Sequence, residues 1–541
     1  MNFNGIQGKT LENVQARLHI LVQSQGELTA SKIHSIYNQA TQDIQTAMQP
    51  YGYFTPRIQS KLIQQKSHWT ANFSIDPGKP IIIKQLLISI QGPGKSNSNI
   101  RLAVDNFLKI GGRFDVNDYQ QAKIHLFHVI NNQGYINAHI ENNKVVIDLK
   151  QSTASIILKV QTEEQYYFGD VIFNDNPYSN DFLKRMIHFS PNSVFSSEKL
   201  IALQQKLSSN DYFQHCSVTP DIRNARNHHI PIRVDIAVAK AKKYSVGIGY
   251  GTYTGARLSA GLSLRRISNS GQHFDAQLKL SSVLSELAAK YYIPGNNPLT
   301  DHWLLGLNYQ RFLPKNGSSS SGTLTAGYTT MKNKLQTNID INYLVEHYKI
   351  RNKPAEISEF LYPHINLTYN DSNDLINPTE GKLASLTLRG ASQSIGSTTN
   401  FLQAELKAKY LFSPTPYSHL IFKTDLGYTL INKLKALPLS MRFFAGGINT
   451  IRGYPDSSIG PGRYLYTASA EYQHQIKDNW WASVFYDEGT ATNHYGDSLY
   501  KGAGIGIIYS SYIGPIKVYF AQAINKPRKP YSIEFSIGPE F

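Results

Sequence analysis

One cysteine, Cys216, in 541 residues rules out an internal disulfide framework and a CxxC-type zinc site. Charged residues are sparse at 17%. Long apolar runs are missing too: the longest, Ile81–Ile90, is broken by Lys84 and Gln85, whereas a spanning helix needs about 20 apolar residues. That excludes a helical anchor but not strands, which cross a bilayer with alternating residues. Enzyme signatures are absent as well. The 17 histidines show no HExxH spacing and no GxSxG occurs. GPGKS at Gly92–Ser96 has Ser89 where a phosphate-binding loop needs glycine, and GAGIG at Gly502–Gly506 lies in an alternating strand with no helix after it. No catalysis, cofactor or metal is expected. Nucleic acid is not expected as a partner, because no basic cluster is combined with an aromatic stacking platform. The start, MNFNGIQGKT, has neither the basic nor the apolar region of a secretory leader. A chain destined beyond the cytoplasm is therefore expected to begin near its mature terminus.

What is present is a repeat. YGYFTPRI (Tyr51–Ile58), QGYINAHI (Gln133–Ile140) and NDYFQHCSV (Asn210–Val218) each follow an amphipathic helix and precede two strands. Their tyrosines Tyr53, Tyr135 and Tyr212 lie 82 and 77 residues apart. Ile33, Ile36, Tyr37, Ala40, Ile44 and Ala47 fall on one helical face, as do Tyr119, Ala122, Leu126 and Ile130, then Leu200, Leu203 and Leu207. The order β-α-α-β-β predicts three small α+β domains over 1–78, 79–163 and 164–241, each with an exposed sheet edge that can accept an added strand.

From 242 to 541 helical periodicity gives way to runs of about 8–12 residues alternating at period two. Tyr244, Val246, Ile248 and Tyr250 share one face, Ser245, Gly247, Gly249 and Gly251 the other. Alternation alone leaves two readings open: a soluble sandwich with its apolar face in a core, or an outer-membrane barrel with that face in lipid. Three features favour the barrel. The candidate strands number about sixteen, an even count; Tyr291, Tyr292, Trp303, Trp480 and Trp481 gather at strand ends like an interfacial girdle; and the final strand, YSIEFSIGPEF, ends on Phe541. The net charge of +16 is spread over both regions. It reads as a solvated basic surface, with anionic lipid headgroups as the functional alternative.

The most informative segment is MRFFAGGINTIRGYPDSSIGPGRY, Met441–Tyr464, a long loop carrying Arg452-Gly453-Tyr454. Strand parity adds to it. A charge at mid-bilayer costs several kcal/mol, about 2–4 at the midplane for basic residues. Asp487 in WWASVFYDEG is thus expected to face inward with Phe485 and Gly489, and Glu471 likewise on the strand before. RGY in this loop, followed by FYDEG at Phe485–Gly489, resembles the POTRA-plus-barrel superfamily of outer-membrane assembly and secretion factors. The RFFAGG…IRGY context and YIGPIKVYFA resemble its TamA-type members, along the whole chain. The resemblance implies three periplasmic POTRA domains and a 16-stranded transmembrane β-barrel in the outer membrane. It further implies a loop folded into the lumen, with Arg452 docked on Glu471 and Asp487. A lateral seam between the first and last strands, at Gly247, Gly249, Gly251, Gly538 and Phe541, would admit clients. Glycine weakens a strand there, and Pro539 cannot donate to a ladder. The implied partners are β-barrel or autotransporter client polypeptides, outer-membrane lipid, and a TamB-like periplasmic partner anchored in the inner membrane. Within the superfamily, general assembly factors with five POTRA domains and two-partner secretion pores with two are the alternatives.

Overall fold

The computed structural model describes residues 1–23, 29–65, 68–252, 255–374, 378–511 and 514–537. Gly538 and Phe541, expected at the seam, lie outside the described residues. The chain divides into two compact units. One comprises Met1–Asn174, His188–Gln205 and Ser217–Asp235; the other comprises Asp175–Ile187, Lys206–Cys216 and Ile236–Phe541.

The first unit is built from helix-covered sheets. Helix Ala30–Met48 starts at Thr29, whose side chain accepts the Lys32 N–H, and buries Ile36, Ala40, Ile44 and Ala47. The 3–4 spacing of these residues makes one stripe. Alternate residues Ala71, Phe73 and Ile75 of strand His68–Asp76 meet it. That strand pairs with Asn2–Asn4 in parallel and with Arg57–Gln65 in antiparallel fashion. The second sheet repeats the plan. Thr153–Gln161 lies parallel to Ile82–Gln91 and antiparallel to His139–Asp148, and its Ala154, Ile156, Leu158 and Val160 are wholly buried with Leu126 and Ile130 of helix Val116–Asn132. Fully burying each of the five larger side chains among them contributes about 1.5–3 kcal/mol. In the third sheet Tyr167–Phe173 runs parallel to His229–Val238.

The second unit is a 16-stranded sheet in which every consecutive pair of strands is antiparallel, from Lys242–Gly251 to Tyr531–Ile537. Its strands are 7 to 18 residues long. Tyr244, Val246, Ile248, Leu305, Leu307, Ile339, Ile341, Val484, Ile505 and Phe520 all stand exposed on the outer face, while Glu346, Glu471, Asp487 and Glu534 are buried inside. An apolar belt of that extent is not left in water by soluble proteins, and a sandwich core would have covered it. The alternation therefore belongs to a lipid-facing barrel. Trp303 and Trp480 are exposed as a girdle requires, 57% and 48%. Trp481 and Tyr292 are not girdle residues: neighbours in a strand face opposite ways, so each stacks instead on a histidine, His419 at 4.2 Å and His273 at 4.5 Å.

The pieces Asp175–Ile187 and Lys206–Cys216 pack within this second unit. Ser179 N–H donates to the Asn269 carbonyl at 2.9 Å, and Arg185 Nη1 to that of Gly295 at 2.7 Å. Gly271, at φ +79°, lies against the Phe182 ring where a Cβ would come within 2.1 Å, so only glycine fits that turn.

Candidate functional site

The segment 432–463 joins strand Ser418–Ile431 to strand Tyr464–Lys477. It is not a solvent loop. Leu437, Leu439, Ile451 and Tyr454 have no exposed surface, and Phe443–Ala445 pairs with Ile459–Gly462 in a short ladder of its own. A buried connection must satisfy its own backbone, and this one does so with that ladder and with side chains of the barrel wall.

At its tip Arg452 is 2% exposed. Its Nε and Nη2 donate to the two Asp487 oxygens at 2.8 Å each, a bidentate pair, and its backbone N–H adds a third bond to Asp487 at 3.0 Å. Nη1 donates to Glu471 Oε2, and Nη2 reaches Ser469 Oγ at 3.2 Å. The carboxylates have further donors: Ser469 Oγ to Asp487 at 2.7 Å, Gln473 Nε2 and Tyr519 Oη to Glu471 at 2.8 and 2.9 Å. The guanidinium carbon lies 3.5 Å from the Phe485 ring centroid and 4.7 Å from that of Tyr519. Planar, five-donor arginine suits such a site and lysine does not.

Gly453 follows at φ +91°, its N–H donating to Glu534 Oε1 at 2.7 Å. A Cβ there would meet the Ala523 nitrogen at 2.9 Å. Tyr454 is fully buried, its hydroxyl donating to the Lys501 carbonyl at 3.3 Å. Gly489 does not touch the tether; it clears the way for Tyr466, whose carbonyl would sit 2.2 Å from an added Cβ. Thus Arg452, Glu471, Phe485 and Asp487 are brought together, Gly453 and Tyr454 fix the adjoining backbone, and Gly489 serves strand approach.

Several members of this site were not anticipated from sequence. Gly502, Gly504 and Gly506 form a side-chain-free inner face on strand Tyr500–Ser511. A Cβ at Gly502 would fall 2.0 Å from the Arg452 carbonyl, at Gly504 2.7 Å from the Phe485 ring, and at Gly506 2.4 Å from the Tyr519 ring. Their GxGxG spacing at strand parity was the available signal. Glu534, a lone carboxylate in YSIEFSI, carried the same parity signal as Asp487.

A second anchor holds the other end of the loop to a different stretch of wall. Glu346, 0% exposed on strand Leu335–Ile350, accepts both the N–H and the hydroxyl of Ser440. Arg442 donates to the Leu437 and Lys435 carbonyls at 2.8 to 2.9 Å. Ser358 Oγ takes up the Ala436 carbonyl and Gln403 Nε2 that of Met441, at 3.0 and 2.9 Å.

At the seam, among the described residues, no strand pairing joins Lys242–Gly251 to Tyr531–Ile537. Thr252 Oγ1 accepts the Phe535 N–H at 3.1 Å. On the first strand, a Cβ at Gly249 would have only an ordinary contact, 4.0 Å from Arg257, whereas one at Gly247 would crowd Ser259 Oγ at 2.6 Å. The close atom at Gly247 is a serine hydroxyl that can turn aside, and the next lies at 3.9 Å, so packing requires glycine at neither position.

Comparison with known proteins matches the Omp85 superfamily domain over residues 240–541. The POTRA domain TamA domain 1 matches residues 1–77, and a POTRA family described as surface antigen variable number repeat matches 166–238. The outer membrane protein assembly factor BamA of Nitratidesulfovibrio vulgaris is 19% identical over 445 residues, covering 75% of this chain and 55% of the relative. The chain thus spans about half the length of that curated protein. Among solved structures, BamA from Haemophilus ducreyi lacking POTRA domains 1-3 aligns at a TM-score of 0.69 and 16% identity, over 85% of this chain and 99% of the other. CdiB from Acinetobacter baumannii aligns at 0.51 and 12%, over 98% and 99%. At such identities these structures share a fold with this chain.

Proposed function

The chain belongs to the Omp85 superfamily, its barrel seated in the outer membrane and its N-terminal POTRA domains in the periplasm, and from that premise we propose that it inserts or secretes β-rich client polypeptides through the seam between its first and last strands. The observation that carries this reading is the end of the ladder: among the described residues no strand pairing joins the terminal strands to each other, and the last of them holds the loop tip through Glu534. A client strand could pair with the free backbone groups of such an edge, which act as a template. Gly249, which packing does not require, lowers the stability of the edge that would open. In this mechanism no bond is made or broken; backbone hydrogen bonds are exchanged between seam and client while Arg452 holds the loop on Asp487 and Glu471.

The TamA-type POTRA match over residues 1–77 favours a TamA-type factor with autotransporter clients and a TamB-like periplasmic partner. A general BamA-type assembly factor is the second reading, favoured by the BamA relative. The test is reconstitution of the full chain in liposomes, with an unfolded autotransporter barrel or an unfolded porin added. Insertion is followed by protease protection and heat-modifiable mobility. Acceleration of the autotransporter alone supports the first reading, acceleration of both the second. Folding no faster than in protein-free liposomes refutes both.

A further inference from the structure

Beside the tether, three residues stand in line across the inner wall of the barrel. Lys423 of strand Ser418–Ile431 is directly opposite Ser469 of Tyr464–Lys477, and Ser469 is directly opposite Asp487 of Trp480–Thr492. Opposed residues share a face of the sheet, and neighbouring strands are about 4.8 Å apart, so Lys423 and Asp487 are separated by roughly 10 Å of wall with only Ser469 between them. Glu471 lies two residues along from Ser469, on the diagonal from Lys423 that a long side chain spans. Both carboxylates that hold Arg452 are thus within reach of one lysine.

The ground between them is occupied by the guanidinium. Arg452 Nη2 donates to Ser469 Oγ at 3.2 Å, and Ser469 Oγ donates to Asp487 at 2.7 Å. While Arg452 is docked, the half-buried Lys423 has no ion pair among the described residues, whereas Lys407, on the neighbouring strand Phe401–Thr415, has Glu405 at 2.9 Å. The groups whose charges act on Lys423 are few. Glu471 and Asp487 attract it and Arg452 repels it; Lys409, directly opposite on its other side, and Lys517 of strand Gly514–Ala523 repel it too. Like charge directly behind the lysine favours a position toward the carboxylates.

We propose that Lys423 is the second cation of the tether: as Arg452 leaves, the lysine ammonium crosses Ser469 and pairs with Asp487 and Glu471, so that one cation replaces the other. Breaking a buried pair is strongly destabilising because the remaining charge is stranded in a dry site, and a flexible ammonium on a four-carbon stem prevents that. It holds less firmly than a bidentate fork. Arginine therefore takes the carboxylates when the loop tip is in place, and lysine takes them when it is not. Lys423 acts on the loop through Asp487 and Glu471, as a positioning residue.

The experiment uses the full chain in detergent micelles and a water-soluble carbodiimide, which joins a lysine amine to a carboxylate in contact with it. In Arg452→Ala, where the exchange is complete, mass spectrometry of the digest is expected to find Lys423 joined to Asp487 or Glu471 at least about tenfold more abundantly than in the wild type. A second reading leaves Arg452 in place. With Ala445→Cys as a buried thiol in the loop, K423Q is expected to slow maleimide labelling about tenfold, because the released tip has lost its replacement, and K423R to restore the wild-type rate. The sign is diagnostic, since a lysine that merely supported the wall would speed labelling when removed. No such cross-link in Arg452→Ala that retains heat-modifiable mobility overturns the proposal, as does unchanged or faster labelling in K423Q. Neither reading involves a client, so failure here leaves the function proposed above standing, and failed client insertion leaves the exchange standing.

Discussion

Replacing Arg452 with alanine is expected to release the loop tip while leaving the barrel folded. Removing one partner of a buried ion pair costs about 3–5 kcal/mol because the other charge is left in a dry site. Here the surviving carboxylates keep three donors, from Ser469 to Asp487 and from Gln473 and Tyr519 to Glu471. The lower figure, about 3 kcal/mol, is therefore the better guide, and at about 1.4 kcal/mol per tenfold it shifts the docked-to-released ratio roughly a hundredfold. The chain suits a thiol readout, since its one cysteine is buried. Ala445, 1% exposed in the loop's own ladder, becomes the reporter as Ala445→Cys. Maleimide labelling in membranes should be about a hundredfold faster in the Arg452→Ala background, with the boiled-against-unboiled mobility shift retained. Arg452→Lys should fall between, because one ammonium cannot span both carboxylates. Labelling within twofold of the wild-type loop would refute the claim that this tether holds the loop.

The same reporter tests the second anchor. Glu346→Ala leaves the Ser440 N–H and hydroxyl buried without an acceptor, a cost of about 1–3 kcal/mol, so labelling should rise about tenfold or more; an unchanged rate would show that the anchor contributes nothing. Gly502→Ala places a Cβ 2.0 Å from the Arg452 carbonyl, backbone that has no room to yield, and should mimic loss of the tether in labelling rate; wild-type behaviour would mean the wall moves instead. Across the seam, the Thr252–Phe535 contact, continued two residues along antiparallel strands, sets Tyr250 opposite Ile537, both facing outward and exposed. Oxidation of a Tyr250→Cys, Ile537→Cys pair should stop client insertion in liposomes and reduction should restore it; full insertion by the cross-linked form would refute lateral opening.

Much of this architecture was legible because two periodicities carry it. The helix stripe ending in Ala40, Ile44 and Ala47 and the alternation Ala154, Ile156, Leu158, Val160 are each written by one side-chain spacing, and they survive any detail of packing. Parity likewise separated Phe485 and Asp487 from Val484 and Tyr486, since the first two are buried and the others exposed. What stayed hidden depends on which strand lies across the lumen. Nothing near Glu346 in sequence says that Ser440, on a distant loop, will satisfy it, and nothing in GAGIG says that its missing side chains make room for Arg452. The parity fixed by Asp487 also turns Trp481 inward and Trp480 outward, against the expectation of both in the girdle. What the sequence does not give is the histidine, His419 on the neighbouring strand, on which Trp481 stacks.

The anchors also bear on how loop and seam are related. Gly453 donates to Glu534 on the terminal strand, and Arg452 holds Asp487 and Glu471 three and four strands further in from it. The docked tip therefore ties the last strand to the wall beside it by contacts that do not depend on pairing with the first strand. On the proposed reading, the last strand can lose its neighbour at the seam and still keep its place. Among the described residues the first strand pairs only with Gly255–Leu264, and no hydrogen bond from the loop tip to it is found. Opening should then occur by movement of Lys242–Gly251 rather than of Tyr531–Ile537. In amide exchange of the intact chain the first strand should exchange at least tenfold faster than the last. Arg452→Ala should raise exchange in the last strand more than in the first, and the reverse pattern would refute the assignment of the moving edge.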